Sequence, residues 1–389
     1  MIILKNGHVV DPLNHINEVT DVLVDGNRIL GVGDARRFLC GGDGKAVSLA
    51  HTIDAGGCYV VPGLIDHHCH MYPLANIGLP AEAVCFASGV TTAVDAGSAG
   101  CATYAMYRPF IQLSKLAIRA YLNVCTTGLA SLPKSLECVD PATWDEGAIR
   151  DCFERFSGEL LGLKLRTSHP IVKELGYVPL RATVRLAERL GVSVMVHCTN
   201  PPGELSELLD LLRPGDVLTH MYMNQGSCLV ENGAVIEAAK RARQRGVLFE
   251  AADARAHFGL PVAETAIEEE FLPDILATDL TKLSMHLRPT SFNLAMQISK
   301  YHELGISFTK LIECCTVAPA RQMGMLDVAG SLTPGHAADI AVLRPVEQTY
   351  RFGDRVDGDP NQHTREGHLV YQPVLTVKNG EMVYRDVTF

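Results

Sequence analysis

Apolar runs of five to eight residues recur through the middle of the chain and alternate with stretches of helical periodicity. Eight such runs read as strands: 59–65, 90–95, 117–124, 160–165, 192–197, 216–220, 247–251 and 275–279. Continuous apolar runs of this length are the mark of strands buried on both faces. Between them, Asp145–Phe156, Pro179–Leu190, Glu231–Arg245 and Ala263–Phe271 read as amphipathic helices. Alternating strands and helices imply parallel β/α units, and eight of them predict an α/β protein built on a (β/α)8 TIM barrel. The two ends have another texture. Ile2–Val10 and Val19–Val32 read as short strands, the latter with a hairpin at Asp25-Gly26-Asn27. Ala338–Leu343, Val374–Val377 and Met382–Tyr384 repeat the pattern, with a turn at Lys378–Glu381. Both termini are therefore expected to build one small domain, 1–58 with 335–389, flanking a barrel at 59–334.

The polar residues that end these runs carry the chemistry. His68 and His70 follow the first strand, Lys164 ends the fourth, His197 the fifth, His220 the sixth and Asp279 the eighth. In a (β/α)8 barrel the C-terminal strand ends form one rim, so residues scattered over half the chain converge there. On an extended segment, residues two apart point the same way, so His68 and His70 can present two imidazoles to one ion. Lys164 sits in Leu161-Gly162-Leu163-Lys164-Leu165, where burial of an ammonium is costly and demands a reason. Taken singly, each residue has an ordinary role: a surface histidine, a snorkelling lysine, an N-cap aspartate. Their common placement at strand ends favours metal.

Pro62-Gly63-Leu64-Ile65-Asp66-His67-His68-Cys69-His70 resembles the Pro-Gly-Leu-Ile-Asp-x-His-x-His signature of the amidohydrolase superfamily, which includes dihydroorotases, hydantoinases and D-aminoacylases. Gly335-His336-Ala337-Ala338-Asp339 resembles the return of such chains into their terminal domain, a β-sandwich made by both ends. The resemblance implies two divalent ions, zinc foremost, with His68, His70 and Asp279 on one and His197 and His220 on the other. It also implies a Lys164 carbamylated by CO2 whose oxygens bridge the two. A hydroxide between the ions would attack a carbonyl, and Asp279 would carry the proton to the leaving group. Asp66 is assigned a supporting role.

Composition narrows the partners. A formal net charge of -10 over 389 residues argues against nucleic acid or an anionic membrane surface. No apolar run reaches the roughly 18 residues of a membrane span. Twelve cysteines without a Cys-x-x-Cys pair, and an N-terminus without a basic, then apolar leader, point to a reducing cytoplasm. A homo-oligomer is the general expectation for such an enzyme.

The substrate is expected to be a small molecule. Arg166, two residues beyond Lys164, faces the same rim and can hold a carboxylate, unless it serves a surface ion pair. Lys164-Leu165-Arg166-Thr167-Ser168 and His220-Met221-Tyr222-Met223-Asn224 resemble the deacetylase-like branch of the superfamily, which makes Tyr222 a candidate to polarise the scissile carbonyl. His257 and His286 are further rim candidates, His257 for contact with the substrate. Two positions depart from the relatives: Tyr72 stands where dihydroorotases carry a carboxylate-reading arginine, and Ala254–Gly259 replaces a Gly-His-Gly loop. The first reading is hydrolysis of an amide or ester in a small carboxylate-bearing compound, such as an N-acyl amino acid or acylated 2-hydroxy acid. Hydrolysis of a cyclic amide is the second, and a non-catalytic scaffold the third.

Overall fold

The computed structural model describes residues 1–39 and 51–389. The chain opens with β1 (Ile2–Asp11), β2 (Ile16–Asp25), β3 (Arg28–Val32), β4 (His51–Asp54) and β5 (Tyr59–Pro62). The barrel follows as β6 (Leu64–Cys69), β7 (Val90–Gly100), β8 (Ala117–Asn123), β9 (Leu160–Arg166), β10 (Ser193–His197) and β11 (Val217–Thr219). A two-stranded hairpin, β12 (Val230–Glu231) and β13 (Ala234–Val235), precedes the last barrel strands β14 (Leu248–Ala252) and β15 (Ile275–Ala277). The chain ends in β16 (Ile340–Gly353), β17 (Thr364–Lys378) and β18 (Glu381–Arg385).

Strands β6 to β11, β14 and β15 pair in parallel in chain order. The ring closes where the His70 amide donates to the Leu280 carbonyl at 2.9 Å and the Asp279 amide to the His68 carbonyl at 2.7 Å. The terminal strands form a separate eight-stranded mixed sheet, ordered β18-β17-β16-β5-β1-β2-β3 with β4 paired to β1. It has its own apolar cluster, including Leu4, Val22, Val60, Ile340 and Val377.

The first strand differs from the sequence expectation. Tyr59–Pro62 belongs to the terminal sheet, antiparallel to β16 and parallel to β1, and only Leu64–Cys69 enters the barrel. Pro62 has no amide to donate, and Gly63 crosses between the sheets so closely that a Cβ there would lie 2.2 Å from Thr91 Oγ1. A second difference falls at Glu231, where a helix was expected. Asn232 and Gly233, at φ +52° and +77°, make a tight hairpin turn, and the helix starts at Glu237. The C-terminal strands are also much longer than expected. The turn between β16 and β17 reaches the barrel rim, where Asp354 accepts from the Leu260 amide at 3.2 Å and Arg355 donates to Asn224 at 3.3 Å. Among the described residues no helix is long and apolar enough to cross a membrane.

Candidate active site

A register slip in β6 shapes the site. Asp66 pairs with Ala93 and Cys69 with Asp95, so three steps on β6 oppose two on β7. The extra residue turns both His67 and His68 into the barrel, where strict alternation would have separated them. Each places its Nδ1 on one oxygen of the buried Glu250 carboxylate, at 2.6 Å from His67 and 2.7 Å from His68. Thr219 Oγ1 lies 3.0 Å from the same His68 nitrogen, and Ser98 Oγ is 2.9 Å from His70 Nδ1. With their Nδ1 atoms held, His68 and His70 aim Nε2 at Asp279 Oδ1, 3.4 and 3.2 Å away.

The other oxygen of Asp279 faces a second group. His220 Nε2 is 3.8 Å and His257 Nε2 is 3.6 Å from Oδ2. His220 Nε2 also lies 2.7 Å from His197 Nδ1, while its own Nδ1 donates to the Ala252 carbonyl at 2.6 Å. Thr199 Oγ1 lies 3.0 Å from His257 Nδ1. Lys164 Nζ stands 3.3 Å from His68 Nε2, with the residue 1% exposed. His220 and Asp279 adopt left-handed backbone, φ +63° and +53°, at the ends of their strands. Such geometry costs on the order of 1–3 kcal/mol per residue and persists only where the surroundings enforce it.

Burial sets the protonation states. It pushes His197 and His220 well below the usual imidazole range, with nearby cationic neighbours adding to the effect. Burial likewise lowers His68 and brings His257 to about 4. Neutral imidazoles are the form that binds metal. Burial alone would raise the Asp279 and Glu250 carboxyls, yet the surrounding histidines hold both well below the ordinary carboxylate value. Burial lowers the Lys164 amine to about 8 and raises Asp66, which accepts from Thr278 Oγ1 at 2.6 Å, to about 7.

Two sets of donors therefore converge: His68, His70 and Asp279, and His197, His220 and His257, the ligand atoms of each set lying within 4.8 Å of one another. Imidazoles converging beside an ionised carboxylate fit divalent cations. His257, expected against the substrate, falls in the second set. A cavity of about 280 Å³ opens beside both sets, lined also by Lys164, Arg166, Arg255, Ile77, Leu129 and Leu132. Tyr222 does not reach it. Its ring is buried outside the cavity and its hydroxyl donates to the Phe271 carbonyl at 3.1 Å, so the carbonyl-polarising role is corrected to a packing role. The ring of His286 packs on Phe292, with centroids 4.8 Å apart, and also lies off the cavity lining.

Sequence reasoning missed Glu250 and His67. Glu250 had a signal of the same kind as Lys164, a lone charge in the apolar run Leu248-Phe249-Glu250-Ala251-Ala252.

Residues 59–383 match the sequence pattern of the amidohydrolase family. The chain belongs to that family. This amidohydrolase is 32% identical over 368 residues to a deacetylase of Agrobacterium fabrum, covering 94% of this chain and 86% of the other. A deacetylase of Brucella anthropi is 31% identical over 376 residues, covering 95% and 89%. Among solved structures, a dihydroorotase superposes with a TM-score of 0.87 at 29% identity, over 99% of this chain and 100% of that one. An adenine deaminase reaches the same TM-score at 23% identity, with 99% of each chain covered, and shares the fold. Family membership and the paired donor sets make this amidohydrolase a metal-dependent hydrolase with a binuclear centre.

Proposed function

We propose that this amidohydrolase is a deacylase that cleaves an amide or ester bond in a small carboxylate-bearing compound, an N-acyl amino acid or an acylated 2-hydroxy acid. The observation that carries the reading is the cavity itself. It joins both donor sets to guanidinium groups at Arg166 and Arg255 and to an apolar wall of Ile77, Leu129, Leu132 and Leu283. A volume of about 280 Å³ lies just below the usual span of ligand sites, roughly 300–1,000 Å³, and suits a small substrate. Likeness to two deacetylases over nearly the whole chain supports the same choice.

In this proposal His68, His70 and Asp279 would hold one zinc ion and His197 and His220 the other, with His257 in the second donor set. Lys164, buried beside His68 with a lowered pKa, is the residue that would be carbamylated and would then supply an anionic ligand. When bound, the ions supply Lewis acidity and water activated near neutral pH. Asp279 begins ionised, takes the proton from the attacking water and delivers it to the leaving nitrogen or oxygen as the acyl bond breaks. The Nδ1 contacts of His68, His70 and His220 keep the rings fixed throughout.

Cyclic-amide hydrolysis is the second reading, favoured by the likeness to the dihydroorotase. Against it, Tyr72 is buried with its hydroxyl 3.4 Å from the Thr103 carbonyl, and that position sends no cation into the cavity. The test is a screen of zinc-reconstituted protein by proton NMR. N-acetyl and N-formyl amino acids and acetylated 2-hydroxy acids of both hands are compared with dihydroorotate and hydantoins. Release of acetate or formate from one hand supports the proposal, and ring opening alone replaces it with the second reading.

A further inference from the structure

The proposed substrate needs a cation for its carboxylate, and the structure separates the two arginines that line the cavity. Arg166 already has a partner. Its Nη1 lies 3.1 and 3.0 Å from the two oxygens of Glu137, whose side chain is 1% exposed. Removing Arg166 from that contact would leave a buried carboxylate without its counter-charge. Arg255 lines the same cavity, is exposed, and makes no ion pair or hydrogen bond among the described residues.

The backbone around Arg255 is pinned on both sides. Ala254, at φ +43°, donates its amide to the Thr278 carbonyl at 2.9 Å and accepts from the Ser291 amide at 3.1 Å. Asp253 is anchored by Lys300, by Tyr301 at 3.0 Å and by Gln297 at 2.9 Å. On the other side the His257 amide donates to the Asp253 carbonyl at 3.0 Å, and the His257 ring is held by Thr199. A fixed loop thus presents a long cationic side chain without a protein acceptor, two residues from His257. Small neighbours, Ala254 and Ala256, leave it room.

We propose that Arg255 receives the substrate's carboxylate, and that Arg166 is a positioning residue that clamps the loop bearing Glu137. A guanidinium offers paired donors that match a carboxylate, so one free arginine suffices for recognition. The inference rests on the proposed deacylase reading and refines its specificity.

The test compares wild type, R255M, R255K and R166M, all zinc-reconstituted and checked for metal content. The substrates are the best-cleaved N-acetyl amino acid and its carboxamide. For R255M, KM for the acid is expected to rise on the order of 10–100-fold, with kcat within about threefold. Carboxamide kinetics should change little, and R255K should recover part of the loss. R166M should impair both substrates alike. An acid KM within about twofold in R255M, or a selective loss for the acid in R166M, overturns the assignment. A wild-type enzyme that turns over no open-chain acyl compound refutes the deacylase reading itself, whereas one that cleaves both but prefers the carboxamide overturns carboxylate recognition by Arg255.

Discussion

Glu250 does not line the cavity beside the donor sets, yet it is the residue whose change should most cleanly expose how the centre is built. Its carboxylate accepts from His67 at 2.6 Å and from His68 at 2.7 Å inside a fully buried environment. Glu250→Gln preserves size but replaces one acceptor oxygen by an NH2 group. One imidazole then meets a donor where it had an acceptor, and must switch tautomer or turn. A hydrogen bond to a charged group contributes about 1.5–3 kcal/mol. His68 keeps Thr219 Oγ1 at 3.0 Å as a fallback, so the loss should fall in the lower half of that range. Supporting residues of metal ligands commonly contribute 10–100-fold in affinity, or about 1.4–2.7 kcal/mol. The assay is competition for zinc against a chromophoric chelator of known affinity, with far-ultraviolet dichroism confirming the fold. A drop of about tenfold or more is expected. Affinity within about twofold of wild type would refute the claim that Glu250 holds His68 in its ligating orientation.

Three further outcomes follow from the geometry. Burial brings the Lys164 amine to about 8, below its ordinary 10.5, so the neutral form that reacts with CO2 grows about tenfold per pH unit up to pH 8 and then levels. Carbamate formation in metal-free protein, followed by 13C NMR in labelled bicarbonate, should plateau above pH 8, and a rise continuing to pH 10 would contradict it. Gly63→Ala should destabilise by about 1–3 kcal/mol, because the new Cβ meets Thr91 Oγ1 at 2.2 Å, with part of the loss recovered in a Thr91→Ala background. Equal urea midpoints for all three proteins would show that the crossing has slack. Cys138 is exposed, whereas burial raises Cys69, Cys85 and Cys315 well above 9. Peptide mapping after brief alkylation of the folded protein should find Cys138 modified and those three untouched, and early labelling of Cys69 would contradict the packing around the centre.

The barrel was legible because each strand is an apolar run with a chemically marked end. His68, Lys164, His197, His220 and Asp279 could be placed on one rim before any contact was known. The boundary at Gly63 was not, because Tyr59–Ile65 is uniformly apolar and hydropathy does not register a change of sheet within one run. The slip at His67 was hidden for a related reason: a bulge is defined by pairing with β7, which sequence periodicity does not contain. Asn232-Gly233 was legible as a turn but was masked by the helical pattern that follows. The roles of Arg166 and Tyr222 depended on partners far away in sequence. Glu137 and Phe271 are those partners, and no local motif points to either.

Zinc titration of the metal-free protein in bicarbonate, read as turnover of the best-cleaved N-acyl acid, tests the central claim most directly. Activity that rises to a break at about two equivalents per chain, together with a Lys164 carbamate in the active form, is the predicted result. Full turnover without metal, or a break at one equivalent with Lys164 unmodified, would contradict a two-ion centre joined through that lysine.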